Sequence, residues 1–571
     1  MKKTYWCTLL AAVLLTLAPL CRADEAANKQ LKPFFVLSFS GYNAIMADAD
    51  YIGGLGGNAD MSKAVEGMLH MMTQGKGLAG LDKKRPWGMI ILPDPDNLEN
   101  SVRPYVFLPV TELDKFLEVL KGFGIDSDDA DDGAKKLLSN DLPPNTFVKQ
   151  VGKWVLVTNK ASNFADAPKD PEALVGKTAK KYDIMASLLV SNVPQEMKNV
   201  FLSQIDMVSQ IMAMQDGKED QVAQLKKAFD QVKQYANDLE SMTLGLAIND
   251  PDSKTYLDVL TTAKPDTKTA KELAGTQKGP SEFAGFYNPK AAFTLNFIGK
   301  LTPANTIQAR LMLLDRQKRF VKSLEAQEMD QEKKDKIKTL SEDLVGLFLD
   351  TLEGDKVDGG AAVWLGKDQA AAVAGGRVAD GKKLDEIVRK SFTMLLEDSS
   401  DIENLLKLDA DKQGDISFHT ITLPVEMLGD DAPWEQLVGN PLVIVLGTGP
   451  KAAYLAIGRD AMAKLKSAIN VSASVAETEV LPTRAALSVT SLVDFFSVTA
   501  KSDQEKQQAA MIAAILSQAG DKDHVFYTVE PIPNGVRQRI EIESGLLKTL
   551  GAMSQLIGSQ MVPTPPVDSV D

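Results

Sequence analysis

Acidic side chains at alternate positions ahead of a glycine can wrap an oxygen shell around calcium, and the segment DADKQGDISFHT (409–420) has that spacing. Asp409, Asp411 and Gln413 fall at the first, third and fifth places of such a loop, with Gly414 at the sixth, where the backbone must turn sharply. Asp415 and Ser417 follow, while Thr420 stands where the bidentate acid belongs. The candidate calcium ligands are therefore Asp409, Asp411, Gln413, Asp415 and Ser417, and the alternative is an acidic turn leading into a strand. A second acidic run, DSDDADDG (126–133), fits less well, because Ala130 and Ser139 occupy ligand places.

Glycines that cradle phosphate are the next chemistry to consider. In VIVLGTGPKAAYLAIGRD (443–460) an apolar run reaches Gly447-Thr448-Gly449, but a second strand-like run follows where a nucleotide fold would start a helix. The glycines are therefore expected to turn a hairpin. Gly176-Lys177-Thr178 resembles the end of a phosphate loop, yet Pro171 stands where its first glycine should be. Three histidines, His70, His419 and His524, lie far apart, and no G-x-S-x-G, S-x-x-K or H-E-x-x-H motif occurs. No catalytic residue is assigned, and no cofactor beyond the calcium candidate is expected.

The leader MKKTYWCTLLAAVLLTLAPLCRA places Lys2 and Lys3 before an apolar core and ends in small residues, the pattern of a signal peptide cleaved after Ala23. Lipidation at Cys21 is the alternative, disfavoured by the bulky Leu20 beside it. Cleavage predicts an extracytoplasmic chain, periplasmic or secreted, with no membrane span. It also removes both cysteines, Cys7 and Cys21, so the mature protein has neither disulfide nor thiolate chemistry. The formal charge of −14 becomes more negative when Lys2, Lys3 and Arg22 leave. Such acidity repels phosphate backbones and excludes nucleic acid as a partner.

A hairpin followed by a helix recurs along the chain. Copies are read at 147–157, 242–262, 361–378, 443–457 and 524–543, the last centred on Asn534-Gly535, the strongest hairpin signal present. The order of units in the first half repeats in the second, which predicts an internal duplication. The expected organisation is a signal peptide at 1–23, α+β halves at 24–278 and 279–560, and a disordered tail at 561–571. Each half should hold an antiparallel sheet of hairpins with helices packed on one face, because tight turns cannot join parallel strands. Methionine clusters at 68–72 and 207–214 are read first as core filling, with an apolar ligand as the alternative.

The runs ISFHTITLP, VIVLGTGPKAAYLAIGRDAMAKLKSAI and FVKQVGKWVLVTNKA resemble a group of exported bacterial proteins of unknown function built from repeated hairpin-helix units. The resemblance implies no activity. The expectation is an exported non-enzymatic protein that binds an envelope partner or supports envelope structure. The alternatives are a carrier of an apolar small molecule or lipid between methionine-bearing helices, and an enzyme of unrecognised type.

Overall fold

Runs rich in Val, Ile, Phe and Tyr suit a pleated surface, and here they form antiparallel strands joined by tight turns, with helices between them, in an α+β fold. The computed structural model describes residues 32–94, 102–213, 219–249, 254–301, 303–354, 356–398, 404–428, 433–517 and 522–549, with Gly551. The expected signal peptide and C-terminal tail lie outside the described residues. The chain divides into two compact units, one reaching Lys271 and including Pro533–Gly535, the other Glu272–Ile532 and the residues from Val536. The division falls between Lys271 and Glu272, where the expected halves meet at 278/279.

The first unit has ten strands: β1 (Phe35–Phe39), β2 (Trp87–Pro93), β3 (Val102–Pro109), β4 (Asp126–Asp129), β5 (Lys135–Leu138), β6 (Thr146–Val151), β7 (Trp154–Thr158), β8 (Ile184–Leu188), β9 (Leu239–Ala247) and β10 (Thr255–Ala263). Their pairing runs β4-β5-β6-β7-β3-β2-β1-β8-β9-β10, antiparallel throughout. Helices α1 (Tyr42–Leu55) and α2 (Met61–Met72) connect β1 to β2, α3 (Leu113–Gly122) follows β3, and α4 (Gln195–Ala213) with α5 (Glu219–Asp238) connects β8 to β9.

The second unit has the same succession. Helices α6 (Pro303–Glu325) and α7 (Gln331–Leu352) connect β11 (Phe293–Gly299) to β12 (Val357–Leu365), and α8 (Gly381–Asp398) follows β13 (Ala370–Arg377). Then come β14 (Leu406–Gln413), β15 (Ile416–Leu423), β16 (Leu442–Gly449), β17 (Ala452–Gly458) and α9 (Ala461–Ser474). β18 (Thr483–Ser488), α10 (Val489–Thr499), α11 (Asp503–Ser517), β19 (His524–Ile532) and β20 (Gly535–Ile542) complete it. The pairing runs β14-β15-β16-β17-β13-β12-β11-β18-β19. β20 follows β19 through the turn at Pro533-Asn534, with Asn534 at φ +55°, and the Tyr527 hydroxyl donates to Gln538 Oε1 at 3.0 Å.

One face of each sheet is core. In the first unit it carries Val36, Ile90, Tyr105, Phe107 and Leu156, and in the second Val373, Phe418, Val445 and Ala456 under Phe283, Phe286 and α9. α8 meets the opposite face of the second sheet, through hydrogen bonds to β15 and β16.

The hairpin at 443–457 forms as expected, pairing Ile444 with Ile457, which leaves no helix start for a phosphate. Its reversal, however, is at Pro450-Lys451, and the glycines sit inside β16. Gly447 lies between neighbouring rings: a β-carbon there would come within 2.9 Å of Tyr454 Cβ and 3.1 Å of the Phe418 ring.

Candidate functional site

Strand residues that face away from a core are usually polar, and in both units they are not. Cross-strand partners in the first unit give the row Val157, Val106, Met89, Leu37, Ala186, Leu244 and Val259 across seven strands. None of the seven is buried, and Leu244 is 47% exposed. In the second unit the row Ile421, Ile444, Ile457, Ala372, Val363, Phe293, Leu487 and Val525 crosses eight strands, again with no buried member.

The next row on that face contains Leu446, Leu455, Ala374, Ala361, Leu295 and Ala485, with Leu455 45% exposed. Bulk is uneven along it. β17 and β11 carry Leu455, Ile457, Phe293 and Leu295, while β12 and β13 between them carry Ala361, Val363, Ala372 and Ala374. At about 4.8 Å between strands, this makes a shallow trough about 14 Å across. Phe495 and Val498 of α10 pack with Ala370 and Leu423. The strands across the trough are hydrogen-bonded on both sides, so their backbone has no free edge to offer a peptide.

Among the described residues, the methionines of the two clusters that can be placed do not fill a core. Met68, Met71 and Met72 on α2 are exposed, Met71 at 78%, as is Met207 on α4. On α6, Ile307, Leu311 and Leu314 form a stripe one and two turns apart, and all three are exposed.

The residues expected to hold calcium lie along the β14–β15 hairpin and not around a chelating loop. Strand pairing between Gln413 and Ile416 sets Gly414 and Asp415 at the turn, with Ser417 opposite Lys412. Two of the carboxylates are committed elsewhere: Arg389 grips Asp409 with two nitrogens, at 2.9 and 2.8 Å, and Lys466 pairs with Asp411. Gln413 donates to Asn470. The register shift between Lys407 and Asp411 breaks the strand alternation, so Asp409 turns to Arg389 of α8 and Asp411 to Lys466 of α9 on the other face, and the two acids do not converge.

His419, on β15, is the centre of a polar network. It is fully buried, its Nδ1 accepts the Asp409 N–H at 3.1 Å, and its Nε2 lies 3.0 Å from Asp385 Oδ1 on α8. The backbone donor fixes the neutral tautomer with its proton on Nε2. Thr448 donates to the same Asp385 oxygen at 2.7 Å, and Arg389 Nε donates to the other at 2.6 Å. Burial alone would raise the Asp385 carboxyl, but the bonds from Arg389, Thr448 and His419 outweigh it and hold it below the usual carboxylate range. Every member is paired within the cluster, which is the pattern of a structural lock between α8 and the sheet. His70 is on α2, where Nδ1 lies 3.1 Å from the Gly75 carbonyl oxygen.

Two further polar groupings lie outside the residues that the sequence motifs single out. Asp48 on α1 shares a hydrogen bond with Asp183, and burial, then the Asp183 charge and that bond, push its carboxyl up to about 7. Its Oδ2 is buried without a partner. His524 opens β19 beside Asp523 and opposite Glu543. Comparison with protein families, with curated proteins and with solved structures finds no match.

Proposed function

We propose that the protein is an exported, non-enzymatic binding protein that carries an apolar cargo, such as a lipid acyl chain, on the part-exposed apolar sheet face of its units, in the second unit beside α8 and α10. The observation that carries this reading is the eight-strand apolar row of the second unit, no member of which is buried. Apolar surface left in water costs about 25 cal/mol per Å², so a contiguous patch of this kind favours an occupant that covers it. Saturated strand hydrogen bonding supports an acyl chain over an extended peptide, because a peptide would leave its own backbone groups unpaired. The leader sequence supports export, and the shared succession of strands and helices supports a duplicated chain. A macromolecular envelope partner is the second reading, favoured by the exposed Ile307, Leu311 and Leu314 stripe on α6.

The test is an environment-sensitive naphthylamine dye added to the purified protein and displaced by a long-chain fatty acid. Leu455→Glu and Leu244→Glu each place a charge on an exposed apolar position and should reduce displaceable fluorescence at least several-fold with an unchanged circular dichroism spectrum. Absence of displaceable signal, or folded variants that bind as the parent does, would overturn the acyl-chain reading.

A further inference from the structure

The corner where β19 begins and β20 ends turns three electron-rich atoms toward one another: His524 Nδ1, Asp523 Oδ1 and Glu543 Oε2. His524 Nε2 lies 2.9 Å from the Pro289 carbonyl oxygen, an acceptor only, so the ring proton belongs on Nε2 and the Nδ1 lone pair points the other way. That lone pair faces Asp523 Oδ1 at 3.0 Å and Glu543 Oε2 at 3.2 Å. Among the described residues neither carboxylate has a Lys or Arg partner. Three electron-rich atoms lying within 4.8 Å of one another call for a positive charge at their centre.

Each of the three is also held from behind. Asp523 Oδ2 accepts from the Ser488 hydroxyl at 2.7 Å and the Thr490 N–H at 2.9 Å, which leaves Oδ1 turned inward. Glu543 Oε2 accepts the backbone N–H of His524 at 2.8 Å, and the imidazole is oriented by Pro289. Supporting bonds of this kind, with a ring N–H on a carbonyl, are what orient metal ligands. Ligands at about 2.0–2.1 Å from a tetrahedral ion stand about 3.3 Å apart, close to the 3.0 and 3.2 Å between His524 Nδ1 and the two carboxylate oxygens.

The matching corner of the first unit is built differently. There Lys264 follows β10 and its N–H bonds the Asp238 carbonyl, as Glu543 follows β20 and bonds the His524 carbonyl. The first unit thus supplies its own ammonium at the place where the second supplies another carboxylate.

We propose that Asp523, His524 and Glu543 form a site for a divalent transition-metal ion such as Zn²⁺, through one nitrogen and two oxygens, with a further position open to water. Partial exposure of His524 and Glu543, at 16% and 25% of their side chains, leaves that approach open.

Calorimetric titration of the full chain with Zn²⁺ tests this. One saturable site is expected, lost in His524→Ala, weakened at least about tenfold in Glu543→Gln and unchanged in His70→Ala. X-ray absorption of the loaded protein should report one nitrogen and two or three oxygens around zinc. Circular dichroism establishes folding, and should His524→Ala fail to fold, Glu543→Gln decides. Absence of saturable binding, a doubly protonated His524 in nitrogen-15 spectra under excess zinc, or equal affinity in the folded variants would overturn the site.

Discussion

His419 Nε2 donates to Asp385 Oδ1 at 3.0 Å while its other nitrogen accepts the Asp409 N–H, so one buried imidazole ties helix α8 to strands β14 and β15. Removing the carboxylate strands three donors, the buried His419 ring N–H and Thr448 hydroxyl and the part-exposed Arg389 Nε–H. Asp385→Ala should therefore cost about 2–4 kcal/mol in urea unfolding. The folded carboxyl lies below its ordinary value, so its stabilisation is present above the unfolded pKa and lost as pH falls through the folded one. The stability gap between the parent and Asp385→Asn should shrink as pH falls below the ordinary carboxylate value. A gap that stays constant would show that ionisation of Asp385 does not matter.

Asp48 gives the opposite sign. Its folded pKa of about 7 lies above the ordinary carboxylate value, so the proton it keeps favours the native state at low pH. That contribution is full below the unfolded pKa and disappears as pH rises through about 7. Asp48→Asn, neutral at every pH, should become progressively more stable than the parent between about pH 4 and pH 8. Paired urea midpoints check the trend, and parallel pH profiles would contradict it.

Gly458 ends β17 at φ +98°, where a β-carbon would lie 2.2 Å from the Ala370 carbonyl oxygen. That oxygen belongs to strand backbone and cannot swing away. Gly458→Ala should lower stability by about 2–4 kcal/mol, since positive φ and backbone overlap act together. Thermal melts that shift by less than about 2 °C would show that the strand end relaxes freely.

Calcium must compete with cations already in place at Asp409 and Asp411. Because Arg389 and Lys466 hold these carboxylates, calcium at a few millimolar should leave the melting temperature unchanged. Arg389→Gln together with Lys466→Gln frees both acids, and any affinity latent in the spacing should emerge in that double variant. A shift in the parent at micromolar calcium would mean that the ion displaces both side chains.

Hairpins and their order were legible because turn chemistry and alternation are local. The pairs at 147–157, 361–378 and 443–457 form where the residues indicate. β1 escaped notice, since FVLSF is five residues long and gains meaning only from β2 and β8 on either side. The apolar rows were equally hidden: each contributes a single residue per strand, and only the register across seven or eight strands aligns them. Asp385 and His419 are 34 positions apart and meet through packing of α8, which no spacing rule anticipates. The His524 corner was closer to reach. A hairpin centred on Asn534 sets His524 opposite Glu543 by simple counting, so the turn and the two acids together carried the signal.

The floor of the second unit's trough is made by omission. Ala361, Ala372 and Ala374 contribute almost no bulk, while the backbone ladder beneath them is complete. Shape and scaffold are thus specified by separate atoms: one methyl exchanged for a larger group at Ala374 would refit the hollow without disturbing a single interstrand bond. A sheet face arranged this way can change its relief one codon at a time.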